Sequence, residues 1–133
     1  MGTLIYRVEH RDTTDGPYIR TDRETNWTIE GLHRAHEGSP NHPGPMSESA
    51  IGWWKLREDH SFGFGSMDQL HAWFKGFKRK LHAAGFVVRV FETRDDESTI
   101  ITDHQAVFIR EDAKMVDTLS VFRYTKRTNT ATA

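Results

Sequence analysis

Ser66-Met67-Asp68-Gln69-Leu70-His71-Ala72-Trp73-Phe74-Lys75-Gly76-Phe77-Lys78-Arg79-Lys80-Leu81-His82-Ala83-Ala84-Gly85-Phe86-Val87-Val88 is the stretch that decides the fold class. Ser66 stands three residues ahead of Gln69, the spacing of a capping box. In that arrangement the serine hydroxyl accepts from the Gln69 backbone N–H and the glutamine side chain returns to the cap. Leu70, Trp73, Phe74, Phe77 and Leu81 then recur at helical spacing, giving one apolar stripe. Lys75, Lys78, Arg79 and Lys80 crowd toward the far end, where cations suit the negative pole of a helix dipole. Gly85 closes the segment and the apolar run from Phe86 follows at once. The spacing predicts one main amphipathic helix over residues 66–84 leading into a strand.

Working outward, Leu4 to Glu9 alternates between two faces, the pattern of a half-buried strand. Phe86 to Phe91, Thr99-Ile100-Ile101, Ala106 to Ile109 and Met115 to Tyr124 read as further strands, with Val121 and Phe122 the apolar part of the last. Residues 12–45 are polar and punctuated by Gly16-Pro17, Gly38-Ser39-Pro40 and His42-Pro43-Gly44-Pro45, which predicts a long loop. Short helices are expected over Thr28–Ala35 and Ser47–Leu56. Strands alternating with one strong helix, then clustering toward the C-terminus, predict an α+β fold. Its sheet is mixed or largely antiparallel, with the main helix at about residues 66–84 and one or two short ones. Residues 1–124 are expected to form a single domain and 125–133, rich in Thr, Asn and Ala, a disordered tail.

The chain has 133 residues, no cysteine and a formal net charge of −1. A single domain of this length buries a real core. A charge near zero gives no global basic field for duplex nucleic acid or anionic lipid. Without cysteine there are no disulfides or thiolate metal sites, and no run of about 18 apolar residues reads as a membrane span. The expectation is a cytoplasmic, soluble protein.

Candidate site residues are of types that hold nucleotides. Arg7 and His10 lie on and just past the first strand. A guanidinium facing inward suits a phosphate or carboxylate, and the competing reading pairs Arg7 with an internal carboxylate such as Glu9 or Glu92. Gly16-Pro17-Tyr18-Ile19-Arg20 combines backbone amides, a ring and a second guanidinium. Phe64 and Ser66 sit where a glycine-aromatic segment enters a helix N-terminus, with no Walker or dinucleotide-binding glycine spacing. His104 and Gln105 lie where one strand meets the next. His33, His36 and His42 raise a metal site, against which stands the lack of any metalloenzyme spacing, so no metal and no cofactor is expected. No nucleophile elbow or cysteine nucleophile supports hydrolysis.

At Tyr6-Arg7-Val8-Glu9-His10, Gly16-Pro17-Tyr18, Phe62-Gly63-Phe64 with Leu70 and Trp73-Phe74, and Gln105-Ala106-Val107-Phe108, the sequence resembles small phage and prophage proteins. The order of segments is also similar to the ADP-ribosyltransferase superfamily, whose late strand carries a catalytic glutamate where this chain has Gln105. An amide there cannot supply the carboxylate charge. Together these resemblances imply a host-cytoplasmic anti-defence protein that sequesters a nucleotide second messenger, cyclic or NAD-derived, without cleaving it. Arg7 and Arg20 would take phosphates, and Tyr18, Phe64 or Trp53 would stack on bases. Homo-oligomerisation, with Trp53-Trp54 as an edge, would help enclose the ligand. The alternatives are an NAD-using transferase in which Glu92 or His104 replaces the lost carboxylate, and a small inhibitor that docks on a host protein.

Overall fold

Leu4 to Glu9 alternates as though one face were wet, and the strand forms, but both of its faces are covered. The computed structural model describes residues 2–14, 16–17, 59–94 and 98–123. In it β1 (Thr3–His10) is buried from Ile5 through Glu9. Its antiparallel neighbour β3 (Phe86–Thr93) pairs Ile5 with Phe91, Arg7 with Arg89 and Glu9 with Val87. The edge strand β6 (Lys114–Leu119) completes a three-stranded sheet in the order β1-β3-β6. A second three-stranded antiparallel sheet is formed by β2 (His60–Gly63), β5 (Ala106–Ile109) and β4 (Ile100–Ile101), in the order β2-β5-β4.

The two sheets meet at Tyr6 and Phe64, whose backbones exchange both hydrogen bonds at 2.8 Å. Gly63 makes this crossing possible, because a Cβ there would stand 2.6 Å from the Ile5 methyl and 3.0 Å from the Tyr6 carbonyl. One face of the first sheet, through Tyr6, Val8, Phe86, Val88, Val90 and Leu119, packs on the helices. The other face, through Ile5 and Phe91, packs on Ala106 and Phe108 of the second sheet. The strand β1 is thus the middle of a three-layer stack, which explains why its polar residues are as buried as its apolar ones.

The α+β expectation built on one long helix is corrected here. The architecture is mainly β, with two separate antiparallel sheets and no main helix over residues 66–84. The segment instead forms two short helices, α1 (Met67–Trp73) and α2 (Lys78–Ala83). Gly76 lies between them with φ of +88°, a left-handed conformation that ends an α-helix and that glycine adopts without Cβ strain. Helices this short are marginal on their own. Burial of Met67, Leu70, Trp73, Phe74 and Leu81 in the shared core holds them, each large apolar side chain contributing about 1.5–3 kcal/mol.

Ser66 caps α1 by accepting from Gln69 N–H at 3.2 Å. The return bond of the expected capping box goes one residue further back: Gln69 Oε1 accepts from the Gly65 N–H at 2.9 Å. The Gln69 amide nitrogen donates to the Thr102 and Asp103 carbonyls, so this side chain ties the β4–β5 turn to the helix start. In β6 the register with β3 shifts, Phe91 opposing Met115 while Val90 opposes Asp117. Val116 is the extra residue of a bulge, a device that discourages edge-to-edge pairing. The strand expected to run on to Tyr124 stops at Leu119. The expected helices over Thr28–Ala35 and Ser47–Leu56, and the tail from 125, lie outside the described residues.

Candidate functional site

Strand alternation places Arg7 and Glu9 on one face of β1, and the β1–β3 register sets Arg89 directly across from Arg7. Two like charges opposite each other on one face are destabilising unless something lies between them. What lies between them is Glu9, whose side chain is wholly buried. The end of β5 delivers a third guanidinium, Arg110, at the start of a 3-10 turn (Arg110–Asp112). Residues from β1, β3 and the end of β5 thereby converge on one carboxylate.

The contacts are close. Glu9 Oε1 accepts from Arg7 Nε at 2.9 Å and from Arg110 Nε at 3.0 Å. Glu9 Oε2 accepts from an Arg110 terminal nitrogen at 2.9 Å, which makes that pair bidentate, and lies 3.4 Å from Arg89 Nε. The remaining nitrogens of Arg7 donate to the carbonyls of Phe62 and Thr14. Those of Arg89 donate to Thr118 Oγ1 and the Arg11 carbonyl. Arg110 rests over the Phe91 ring at 5.0 Å, and its other terminal nitrogen, Nη1, has no protein partner among the described residues. Hydrogen bonding to Glu9 raises the Arg110 pKa further above its already high value, more than burial lowers it, so the group is a permanent cation.

Exposure rises across the cluster, from 9% for the Arg7 side chain through 18% for Arg89 to 32% for Arg110. Arg7 is the buried anchor and Arg110 the outer member. Among the described residues, three guanidiniums share the one Glu9 carboxylate. Buried arginines ordinarily occur paired, so a cluster in which Arg89 and Arg110 share a carboxylate already engaged by Arg7 is a preorganised cationic site.

A family model described as Bacteriophage T4 Y00F protein matches residues 1–122. The chain belongs to this phage protein family. No curated protein and no solved structure matches it. The phage resemblance read from the sequence therefore holds at the level of a phage family, and the finer sponge and transferase likenesses have no counterpart in these comparisons.

The residues expected to form the site are dispersed. Arg7 belongs to the cluster, but its fork is engaged by Glu9 and two carbonyls. Gly16 lies against the Arg7 guanidinium, where a Cβ would come within 3.6 Å. Tyr18 and Arg20, like Trp53 and the histidines 33, 36 and 42, lie outside the described residues. His10 points to the helix-side layer, with its ring edge-on to Phe86 at 5.4 Å and its Nδ1 accepting from the Asp12 N–H. Phe64 is core, against Trp73 and Phe74, and so offers no stacking face. Ser66 is engaged as the helix cap. His104 and Gln105 form a turn in which both backbone N–H groups donate to Thr102 Oγ1, and Gln69 joins that turn to the Gly65-Ser66 segment. Ser66, His104 and Gln105 thus share one neighbourhood, held by structural hydrogen bonds.

The sequence reading missed Arg89 and Arg110. A signal for the first was present, since Arg89 interrupts an otherwise apolar run from Phe86 to Phe91. Among the described residues no group of three or more His, Cys, Asp or Glu could hold a metal ion. No helix among them is long and apolar enough to cross a membrane.

Proposed function

We propose that this phage-family protein binds a phosphate-bearing nucleotide at the Arg89–Arg110 end of the cluster and retains it without turnover. The observation that carries the reading is the charge ratio: three guanidiniums converge on one carboxylate. Arginine forks match phosphate oxygens bidentately, and charge-assisted bonds of this kind contribute about 1.5–3 kcal/mol each. Glu9 cannot serve as base or nucleophile, because it is wholly buried and both its oxygens are occupied by arginine nitrogens. Retention without cleavage fits a sequestering role toward a nucleotide second messenger of the host. Tyr18 follows Gly16 by two residues, which makes it the ring to substitute when base recognition is probed.

A thermal-shift panel of ADP-ribose, NAD, cyclic dinucleotides and cyclic trinucleotides tests this. A ligand at a hundred times its Kd adds about 2.7 kcal/mol of stability, and the ligand recovered after heating should be chemically unchanged. Arg110→Met should abolish the shift. A panel that leaves the melting point unmoved would make the cluster a clamp between sheets and nothing more, and an altered ligand would favour the transferase alternative.

A further inference from the structure

A second cationic surface lies on the opposite layer, away from Glu9. Between Lys75 and His82 the chain carries Lys75, Lys78, Arg79 and Lys80 with no acidic residue among them. In α2 only Leu81 is buried, and Arg79, Lys80 and His82 are exposed. Lys75, Arg79 and Arg123 have no carboxylate partner among the described residues. The nearby acid is Asp68 of α1, close enough to His71 to act on it electrostatically.

This charge is interleaved with rings. Lys80 Nζ lies 5.5 Å over the Phe77 ring, and the His82 ring meets Phe122 at 5.2 Å. Phe122 is 48% exposed, and its exposure is built in by the backbone. Val121 is fully buried beside it, and the Phe122 N–H donates to Ser120 Oγ while the Arg123 N–H donates to the Ser120 carbonyl. The Arg123 carbonyl accepts from His71 Nε2 at 2.7 Å, and Lys78 Nζ donates to His71 Nδ1 at 3.0 Å. The turn that presents Phe122 is therefore pinned at the core on one side and to both helices on the other. The dipole preference expected of one long helix does not account for this charge, because Lys78 and Arg79 stand in the first turn of α2, at the positive end. Nor does it give a reason for a fixed, half-exposed aromatic at the margin.

We infer that the α2 face, made of Lys75, Arg79, Lys80 and Arg123 with Phe122 as a stacking platform, binds single-stranded nucleic acid. Cations that follow a phosphodiester backbone beside an aromatic ring on which a base stacks are the recurring chemistry of sequence-tolerant single-strand binding. A duplex stacks its own bases and offers none to Phe122. The surface is separate from the arginine cluster, so the inference does not depend on the nucleotide proposal.

Fluorescence polarisation with a labelled oligothymidylate of about 12 nucleotides, within the site sizes such surfaces cover, separates the two contributions. Four phosphate contacts predict a slope of log K against log salt of about −3 and a roughly 50-fold weakening between about 50 and 200 mM salt. Arg79→Ala should reduce the slope by about 0.7. Phe122→Ala should weaken binding roughly 5- to 150-fold at every salt concentration and leave the slope unchanged, the signature of one lost stacking contact. Arg110→Met should leave binding unchanged, which keeps this result independent of the other site. Lack of binding at about 50 mM salt, where electrostatic attraction is strongest, would overturn the inference. So would equal displacement by polyglutamate per unit charge, which would assign the face to an acidic protein, or a Phe122→Ala variant that binds like the parent.

Discussion

Glu9→Gln keeps the shape of the side chain and removes the one negative charge that holds three guanidiniums together. In the parent the carboxylate sits 2.9–3.0 Å from nitrogens of Arg7 and Arg110 and 3.4 Å from Arg89 Nε. Unit charges about 4 Å apart attract by about 4 kcal/mol at an effective dielectric of about 20. Each pair is therefore of that order in gross terms, set against several kcal/mol for burying the carboxylate. Glutamine has one acceptor and presents an NH₂ where Oε1 or Oε2 stood, so donors face donors. Breaking a buried ion pair from one side costs about 3–5 kcal/mol because the partners stay charged, and here three partners remain. Urea denaturation should therefore show the midpoint falling by roughly 2–3 M if m is about 1.5 kcal/mol/M, with m unchanged. Added pyrophosphate should stabilise the variant more than the parent, since the Glu9 charge no longer offsets the guanidiniums around it. A loss under about 1 kcal/mol, the range of an exposed ion pair, would refute the reading of Glu9 as the buried centre of the cluster.

Two further substitutions test the fold around the sites. Gly63→Ala should cost about 1–3 kcal/mol by overpacking, because its Cβ would meet Ile5 and the Tyr6 carbonyl at 2.6 and 3.0 Å. Gly76→Ala meets nothing within 4 Å and should cost only the roughly 1–2 kcal/mol of left-handed strain. Urea midpoints in the reverse order would contradict the crossing geometry. Burial is the main influence lowering the His71 pKa below 6.5, assisted by Lys78 and opposed by the Arg123 carbonyl and Asp68. The unfolded chain then binds the proton more readily, so the stability tied to the neutral ring is present above pH 6.5 and declines as pH falls through that value toward the lower folded one. The melting-temperature gap between the parent and His71→Gln should narrow from pH 7.5 to pH 5, and a gap that widens would show the sign to be wrong.

Much of the strand layout was legible because it depends on local alternation. The apolar runs at Phe86, Ala106 and Ile100 and the alternating Leu4–Glu9 segment all form strands where pattern placed them. The helix was misread because its apolar spacing continues through Gly76, and a single glycine in the left-handed region outweighs a periodic stripe when two short helices bury the same residues. The site was less accessible to sequence reasoning. Arg7 and Glu9 share a face by strand parity, and the competing reading that paired Arg7 with an internal carboxylate such as Glu9 is the one that holds. Joining them to Arg89 requires the β1–β3 register, and joining them to Arg110 requires knowing that a second sheet returns over the first. Those are long-range facts that alternation cannot supply. Phe64 was read as a ring for base stacking, whereas it packs in the core against Trp73 and Phe74, and Gly63 beside it serves the close crossing of β1.

The most direct test of the central claim is titration calorimetry of pyrophosphate and of ADP-ribose into the parent protein and Arg110→Met at low salt. Arg110 is the outer member of the cluster, so its removal leaves the Arg7–Glu9 bond in place, while Glu9 Oε2 loses its 2.9 Å donor and the variant is less stable than the parent. Saturable binding to the parent, lost in a variant that still unfolds in one cooperative urea transition, is the predicted result. No binding to the parent, or equal binding to both proteins, would contradict it.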